Sequence, residues 1–589
     1  MQRMIQARAD VKYSQRMRVG PSLNPRTMTG WLAAALLLSW CIGMFGRGFW
    51  TPDEPREADI AWRMSWQADK AVPLLAGEAF CEKPPLTYWL AAVPMKIFGN
   101  QAWSARLPNL LYALMSALGV GLLAARGAGR FAGLVAAAAM STFLLSYQVA
   151  IWLATDAPLL AAVSIALLGA HIGFYADSRA ERVRGYLLMH VALGLGFLCK
   201  NAAAWMVPAL AIVTLSIWEG RWRELLRWEL YIGLLVQAAM ILSWVWFVYH
   251  GNDGPEHLKV FFWNNLVGRF AAVDAPPELQ YASAHRNSPG KYLIELPMYL
   301  FPWTLLVIAA ARRAWRQRRS SQHDYRTVRF ALAASLPSLL VLSLAATARN
   351  IYLAPALPGF ALLIAWWARE ILPGPDLWDV RALRGTAILV FIAAAAFAVA
   401  AGLTAADLYL SIALIGLLGA VILTGLAWAA AGKQVVHAQW ALLLAYCALL
   451  IGPASQVYRR VDTWQDLAKI SRGVQIDTAG KPLVLLAPDE TTRAIIDMYA
   501  RTSVVRVDGP IDAAWIDRVR SVSKTAPDGF FLALLPTQAP QLPWRAKPRE
   551  MAAPAWFQAA NLQWIESYSL PYGRRYALLV SGADQTAIQ

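Results

Sequence analysis

The chain has 589 residues, of which 58% are apolar and only 15% are charged, whereas about a quarter of the residues of a soluble globular domain are charged. This balance excludes an ordinary soluble enzyme. The net charge of +17 is scattered in short clusters between apolar runs and forms no single basic face, so the sequence does not indicate nucleic-acid binding.

Residues 1–28 are polar and basic, and they are too long and diffuse for the charged region of a cleaved signal peptide. We expect them to form a cytoplasmic tail. After them, apolar runs close to the roughly 20 residues needed to cross a bilayer recur along the chain. They predict thirteen membrane-spanning helices, at 29–46, 104–125, 131–153, 155–176, 186–199, 201–218, 230–249, 292–311, 330–347, 351–369, 386–404, 408–430 and 438–457.

The distribution of Lys and Arg predicts the orientation of these spans. Basic residues are concentrated in the loops on the side of the N-terminal tail, and the short opposite loops carry only Lys200 and Arg349. Because cytoplasmic loops are enriched in Lys and Arg, the N-terminus is expected inside and the C-terminus outside. The long segments 47–103, 250–291 and 458–589 then all face outward.

Two parts of these external segments have a predicted structure of their own. In the first, residues 56–68 are spaced as an amphipathic helix lying in the membrane interface. In the last, four β-rich segments are separated by helical stretches such as 489–501, which predicts a small α/β domain over 458–589. The segments are KPLVLLAP, SVVRVD, GFFLALLP and RRYALLV. None of the four cysteines lies in a CxxC pair, so neither a metal cluster nor a disulfide framework is indicated.

The strongest chemical motif is Thr51-Pro-Asp-Glu-Pro-Arg56, followed about 25 residues later by Glu82-Lys83-Pro-Pro. A carboxylate such as Asp53 and a lysine such as Lys83 would be needed to deprotonate a hydroxyl and to hold a phosphate if a lipid-borne donor were consumed at this boundary. Two structural alternatives stay open. Thr51 and Glu54 also fit a capping box for the following helix, and Glu82-Lys83 also fits a solvated ion pair on a loop.

Further ionisable residues lie at the external ends of predicted spans. Asp156 is a candidate site residue or a helix N-cap, and Lys200 stands between two spans, where a cation is costly without an anionic partner. Arg269 follows the aromatic run FFWNNLVG and is a candidate phosphate ligand or a headgroup anchor. Arg349 and Tyr352 open a span from outside, and together these groups suit a rim that holds a phosphate and manages one proton.

Six motifs follow one another along the chain: DExR, EKPPLxYW, TDxPL, FLxK, FFW(x)nRF and a basic residue before YxxP. In this order they resemble the motifs of the type C membrane glycosyltransferases, and most nearly those of the bacterial aminoarabinose transferases of lipid A. Protein O-mannosyltransferases are more distant kin. The resemblance implies a donor sugar carried on a polyprenyl phosphate and an acceptor such as lipid A or another envelope glycan. It further implies an inner-membrane glycosyltransferase domain over 29–457 with its active site on the periplasmic face.

The resemblance also implies residue roles. Asp53 is the candidate base, with Glu54 and Asp156 as further catalytic carboxylates. The expected ligands of the donor phosphate, or residues orienting them, are Arg56, Glu82, Lys83, Lys200, Arg269, Arg349 and Tyr352. Such a site stabilises the negative charge that develops on the leaving polyprenyl phosphate. The chain has no nucleotide-binding fingerprint, and a divalent cation is possible but not required.

The chain departs from the family pattern at a few positions near the expected site. Glu57 stands where Tyr is usual, Phe80 where Tyr is common, and Asn201 where Gly usually follows the lysine. Two other functions remain open. A transporter or flippase of polyprenyl-linked sugars predicts charges near mid-bilayer and paired broken helices, and a non-catalytic envelope scaffold predicts that the 53 and 83 motifs are dispensable.

Overall fold

The computed structural model describes residues 25–269, 273, 288–318, 322–345, 349–404, 410–499, 504–536, 553–570 and 574–582. Over these residues the chain is mostly helical. The predicted cytoplasmic tail lies outside the described residues except for its last four positions, which begin the first helix.

The first half of the chain contains eleven α-helices and one short hairpin. They are α1 (Pro25–Met44), α2 (Asp53–Trp66), the hairpin β1 (Leu74–Leu75) and β2 (Glu78–Ala79), α3 (Leu86–Phe98), α4 (Ala102–Ala128), α5 (Arg130–Thr142), α6 (Leu144–Ile151), α7 (Asp156–Phe174), α8 (Arg179–Cys199), α9 (Ala203–Trp218), α10 (Trp228–Tyr249) and α11 (Gly254–Lys259).

The second half continues the bundle and ends in a sheet. Its elements are α12 (Lys291–Tyr299), α13 (Thr304–Gln317), α14 (Gln322–Ala333), α15 (Leu336–Leu344), α16 (Leu357–Glu370), α17 (Leu377–Thr404), α18 (Leu410–Ala430), α19 (Val435–Leu449), α20 (Ser455–Gln465), α21 (Ala468–Thr478), β3 (Leu483–Leu486), α22 (Glu490–Tyr499), β4 (Val504–Val507), α23 (Ala513–Thr525), β5 (Phe530–Leu535), α24 (Ala555–Ala559), β6 (Leu562–Ser569) and β7 (Arg575–Ser581).

Among the described residues, nine helices are long and apolar enough to cross a membrane, and the number rises to eleven if two bent pairs each count as one span. Each of the nine overlaps one predicted span. The predicted spans 131–153 and 292–311 are the bent pairs, α5 with α6 at 65° and α12 with α13 at 110°. The predicted spans 29–46 and 201–218 correspond to shorter apolar helices. The chain is therefore a multi-pass membrane protein.

The centre of the bundle is α7, which is buried along most of its length. Small residues let α8 approach it closely, because a side chain added at Gly185 would meet the backbone of Gly173, and one added at Gly169 would meet the backbone of Met189. Glycines at a helix crossing allow this van der Waals packing between spans.

The first long loop differs from its prediction. The predicted interfacial helix over 56–68 is α2, but it is buried on both its apolar and its polar faces, so that even Asp59 is 0% exposed. The reason is that α2 packs between α3 on one side and α22 on the other. Of the residues of α2, only the last, Trp66, is exposed.

The C-terminal unit, defined here as the described residues from 458 to 582, contains a five-stranded sheet of order β4-β3-β5-β7-β6. The first three strands are parallel, and β7 and β6 are antiparallel to their neighbours. Strands β3, β4 and β5 lie within three of the four segments expected to be strands, and β7 overlaps the fourth and ends one residue beyond it. Strand β6 was not expected.

The C-terminal unit packs directly on the first long loop. Arg56 of α2 pairs with Glu490 at 2.9 Å, and the Thr491 hydroxyl donates to the carbonyl oxygen of Pro52 at 3.1 Å. Below these polar contacts, Ala494 is buried in one apolar cluster with residues of α2 and α3 such as Ile60. The loop and the C-terminal unit thus hold each other at one end of the bundle, which we call the loop face.

Candidate functional site at the loop face

The first component of the site is a pair between Asp53, the first residue of α2, and Arg349. Both carboxylate oxygens accept from the guanidinium, one of them from Nη1 at 2.9 Å. Asp53 is buried, while the Arg349 side chain is 47% exposed. The hydrogen bonds to Asp53 raise the pKa of Arg349 against the opposing effect of burial, and Tyr352 and Asp156 add to the increase.

The second component is an ion pair between Lys83 and Glu57. Glu57 lies one helical turn after Asp53, so the two carboxylates share a face of α2 and have Cβ atoms about 6 Å apart. Burial alone would lower the pKa of Lys83, but Glu57 outweighs it and, with Glu82, raises that pKa. The main chain of Glu82 is held in place because its carbonyl oxygen accepts from the Asn265 side chain.

The third component joins Lys200, Asp156 and Tyr352. Lys200 pairs with Asp156, and its ammonium nitrogen lies 4.5 Å from the centre of the Tyr352 ring. The pair is buried, so the cation has the anionic partner that the sequence argument required. A hydrogen bond from the Thr87 hydroxyl to the carbonyl oxygen of Cys199, 3.0 Å long, ties this end of α8 to the start of α3, which directly follows the loop that carries Lys83.

Asp156 does not cap α7, so the helix-capping alternative for this residue is wrong. The N-cap of α7 is Thr155, and its side chain makes no capping hydrogen bond. The Asp156 carboxylate is directed to Lys200 instead.

Arg56 lies between these components and the C-terminal unit. Its guanidinium carbon is 5.6 Å from the centre of the Phe80 ring, and the Lys83 ammonium is 5.9 Å from the same ring. Burial alone would lower the pKa of Arg56, but the carboxylates around it, led by Glu490, raise it. Phe80 therefore packs against two cations through its ring face, a favourable contact for either.

Glu54 occupies a different environment from the one expected of a catalytic carboxylate. It is 1% exposed and pairs with both Arg47 and Arg106 at 2.7 Å. It also accepts from the backbone N–H groups of Trp50 at 2.8 Å and Leu153 at 2.9 Å. Burial alone would raise the pKa of Glu54, but the two arginines outweigh it and hold that pKa at about 2. Since all its acceptor positions are filled, we reassign Glu54 from catalysis to the scaffold of the loop.

Thr51 and Glu54 make only one of the two hydrogen bonds of a capping box. Glu54 does reach back to a backbone N–H group, but the Thr51 hydroxyl donates to the Gln465 side chain at 2.5 Å and not to the helix. The motif fastens α2 to α20 and to the bundle.

Arg269 ends a short 3-10 turn, Val267–Arg269, after the π-helix Val260–Leu266. Its side chain lies outside the described residues. Over the parts of the chain that the structure describes, no group of three or more His, Cys, Asp and Glu side chains is arranged to hold a metal ion.

Sequence reasoning missed three charged residues of this region. Arg106 is fully buried near the start of α4, and a charge inside an apolar span was the available signal. Arg47 carried no comparable signal. Glu57 was noted only as a departure from the family pattern, although its spacing of four from Asp53 on a predicted helix placed the two on one face.

The fold and these contacts define a class of protein: a multi-pass membrane protein in which cations and carboxylates from distant parts of the chain meet at one end of the helical bundle. The comparisons with known proteins agree. A family model described as dolichyl-phosphate-mannose-protein mannosyltransferase matches residues 82–247.

Among curated proteins, the chain is 30% identical over 359 residues to the undecaprenyl phosphate-alpha-4-amino-4-deoxy-L-arabinose arabinosyl transferase of Pseudomonas aeruginosa strain UCBPP-PA14. This match covers 61% of the chain and 62% of the relative, so it spans less than two thirds of that protein. The corresponding enzyme of Sodalis glossinidius is 28% identical over 432 residues, which cover 72% of the chain and 74% of the relative.

Among solved structures, ArnT from Cupriavidus metallidurans bound to undecaprenyl phosphate has a TM-score of 0.72 at 19% identity, covering 93% of the chain and 98% of ArnT. Its apo structure gives a TM-score of 0.69. The chain therefore has the ArnT fold. The predicted resemblance to the aminoarabinose branch of the type C membrane glycosyltransferases, and to the protein mannosyltransferases, is confirmed.

Proposed function

We propose that the protein is a glycosyltransferase that moves a sugar from a polyprenyl-phosphate carrier to lipid A or another envelope acceptor. The observation that carries the proposal is the meeting of the Asp53–Arg349, Glu57–Lys83 and Asp156–Lys200 pairs at the loop face. Each cation can bind a phosphate oxygen, and each carboxylate can accept a proton or a hydrogen bond.

In the proposed reaction the acceptor hydroxyl attacks the anomeric carbon, and the bond from that carbon to the phosphate oxygen breaks. The leaving polyprenyl phosphate gains one negative charge. Lys83 and Arg349, with Lys200 nearby, stabilise this charge, and Arg269 is expected to contribute as a phosphate ligand. A single displacement of this kind inverts the configuration at the anomeric carbon.

Asp53 is the proposed base. Its two oxygens are held by Arg349, whose side chain is the most exposed of the cations in the three pairs. A phosphate that draws Arg349 toward itself would free the Asp53 carboxylate beside the reacting carbon. Binding of the donor would thus prepare the base that the acceptor hydroxyl needs. Asp156 orients Lys200, and Glu82 supports Lys83 electrostatically.

The proposed setting is the bacterial inner membrane, with thirteen spans over 29–457 and a cytoplasmic tail over 1–28. Residues 458–589 are proposed to be a periplasmic domain. The distribution of Lys and Arg in the loops supports this orientation, and so does the position of the C-terminal unit on the loop that carries Asp53.

Mass spectrometry of lipid A and of polyprenyl-phosphate sugars tests the proposal in cells with and without the gene. We expect an added mass on lipid A, or on another envelope glycan, that disappears on deletion while the donor accumulates. Cells carrying the Lys83→Ala variant should resemble the deletion. Unchanged envelope glycans together with an unchanged donor pool would contradict the proposal.

A further inference from the structure

Glu57 lies in the site although the sequence assigned it no role. It is 7% exposed, and its Oε1 atom pairs with Lys83. Its other oxygen, Oε2, is buried and has no hydrogen-bond partner of good geometry among the described residues. The Tyr88 hydroxyl lies next to the Glu57 carboxylate and can donate a hydrogen bond to it. Because a buried carboxylate is costly without partners, Lys83 and the Tyr88 hydroxyl together stabilise Glu57 before a donor binds.

The charges around Glu57 are closely balanced before a donor binds. Lys83 is paired with Glu57, Arg349 with Asp53, and Arg56 with Glu490. A phosphate that binds Lys83 must therefore compete with the Glu57 carboxylate. Because α2 is packed between α3 and α22, Glu57 cannot move away with its backbone, and its carboxylate stays within a side-chain length of the bound phosphate.

A Glu57 carboxylate displaced from Lys83 loses its charged partner and keeps the neutral Tyr88 hydroxyl beside it. It would be a buried anion beside an anionic ligand, which is strongly unfavourable unless a further hydrogen-bond donor faces it. The group that lies next to the phosphate of a polyprenyl-phosphate sugar is the sugar itself. Its hydroxyl groups, or an ammonium group where the sugar carries one, are donors of the required kind.

We propose that Glu57 is a specificity-determining residue, which neutralises Lys83 before the donor binds and then accepts a hydrogen bond from a hydroxyl or ammonium group of the donor sugar. This inference rests on the proposed function and deepens it. It also states what changes when Glu57 stands where the family pattern usually has Tyr. A Tyr side chain cannot neutralise the charge of Lys83, whereas the Glu57 carboxylate can. The carboxylate makes a bare polyprenyl phosphate a poor ligand and a sugar-bearing donor a good one.

The test measures binding to the purified full-length protein, without transfer. The ligands are polyprenyl phosphate alone, a polyprenyl-phosphate sugar with an amino group, and the same sugar with a hydroxyl in its place. They are compared for the wild type, for Glu57→Gln, which keeps the size of the side chain and removes its charge, and for Asp517→Asn. Asp517 is a surface carboxylate of the C-terminal unit paired with Arg520, and its variant is the matched control.

For Glu57→Gln we expect bare polyprenyl phosphate to bind about 10-fold more tightly, because its competitor on Lys83 has lost its charge. The preference for a sugar-bearing donor over the bare phosphate should fall by about the same factor. If the preference falls for the amino sugar alone, the group that Glu57 accepts from is the ammonium. If it falls equally for both sugars, that group is a hydroxyl. Asp517→Asn should behave as the wild type.

An unchanged affinity for bare polyprenyl phosphate, or an unchanged preference among the three ligands, would overturn the inference. If Glu57→Gln does not accumulate as folded protein, Glu57→Asp makes the same prediction with a smaller effect, since its carboxylate is one methylene further from Lys83. Failure of the proposed function is seen separately, as the absence of any transfer product with the wild type.

Discussion

Replacement of Glu54 by Gln separates the structural role assigned to this residue from a catalytic one. The substitution keeps the size of the side chain but removes the charge that compensates Arg47 and Arg106, of which Arg106 is fully buried. Breaking a buried ion pair by neutralising one partner typically costs about 3–5 kcal/mol, because the other charge is left uncompensated. We therefore expect Glu54→Gln to fold poorly.

The pKa of Glu54 gives a second figure for the same effect. Its value of about 2 lies below the ordinary 4.5, which corresponds to about 3 kcal/mol of stability at neutral pH. Since the pKa is lowered in the folded state, this stability is present above about pH 4.5. This stability is lost as the pH falls through 4.5 toward 2. The difference in free energy of unfolding between Glu54→Gln and the wild type should therefore narrow in that pH range.

The assay is thermal unfolding of the purified protein in detergent, together with its yield from membranes, for Glu54→Gln and for Asp517→Asn as control. The control removes an exposed carboxylate, 71% of whose side chain is accessible, and should change stability by less than about 1 kcal/mol. A Glu54→Gln protein that unfolds at the wild-type temperature and yet transfers no sugar would refute our assignment and restore the catalytic role that the sequence suggested.

Three further predictions follow from the packing and the site. Asp53→Asn and Lys83→Ala should each lower transfer by about 100-fold or more while insertion and purification stay normal, and full activity of either would contradict its assigned role. Gly185→Leu should reduce the yield of monodisperse protein in size-exclusion chromatography, because its side chain would meet the backbone of Gly173; a normal elution profile would contradict the packing argument. Ala494→Arg should loosen the C-terminal unit and expose it to protease, because it places a charge in an apolar cluster; unchanged digestion would show that this contact does not hold the unit.

The membrane-embedded part of the fold was largely predictable, because apolar length is a direct physical requirement for crossing a bilayer. Nine predicted spans correspond to long helices among the described residues. The bends were not predictable in the same way. The segment 292–311 is predicted as one span, yet α12 and α13 meet at 110°, since hydropathy reports composition and not the direction of a helix.

Several of the charged residues that meet at the loop face were predicted individually, because ionisable residues beside or within apolar spans need polar partners. Their pairing was not. Glu54 stands next to Asp53 in the sequence, but a helix turns about 100° per residue, so the two carboxylates leave α2 in different directions. One meets Arg349 and the other meets Arg47 and Arg106. Arg349 and Asp53 are almost 300 residues apart, and only the packing of the bundle brings them into contact.

The burial of α2 explains why the amphipathic pattern misled the prediction for the first loop. Asp59 and Arg63 form a polar stripe on this helix, which in isolation indicates a face turned to water. In the folded chain Asp59 pairs with Arg63 and accepts from the backbone N–H of Ala76 at 2.6 Å, and Arg63 also pairs with Asp497 of the C-terminal unit. A polar stripe shows that a helix face needs polar partners, and it does not distinguish water from another part of the same protein. Here those partners include the C-terminal unit, so the helix that carries Asp53 and Glu57 is held from both sides, and the positions of its carboxylates depend on residues far along the chain.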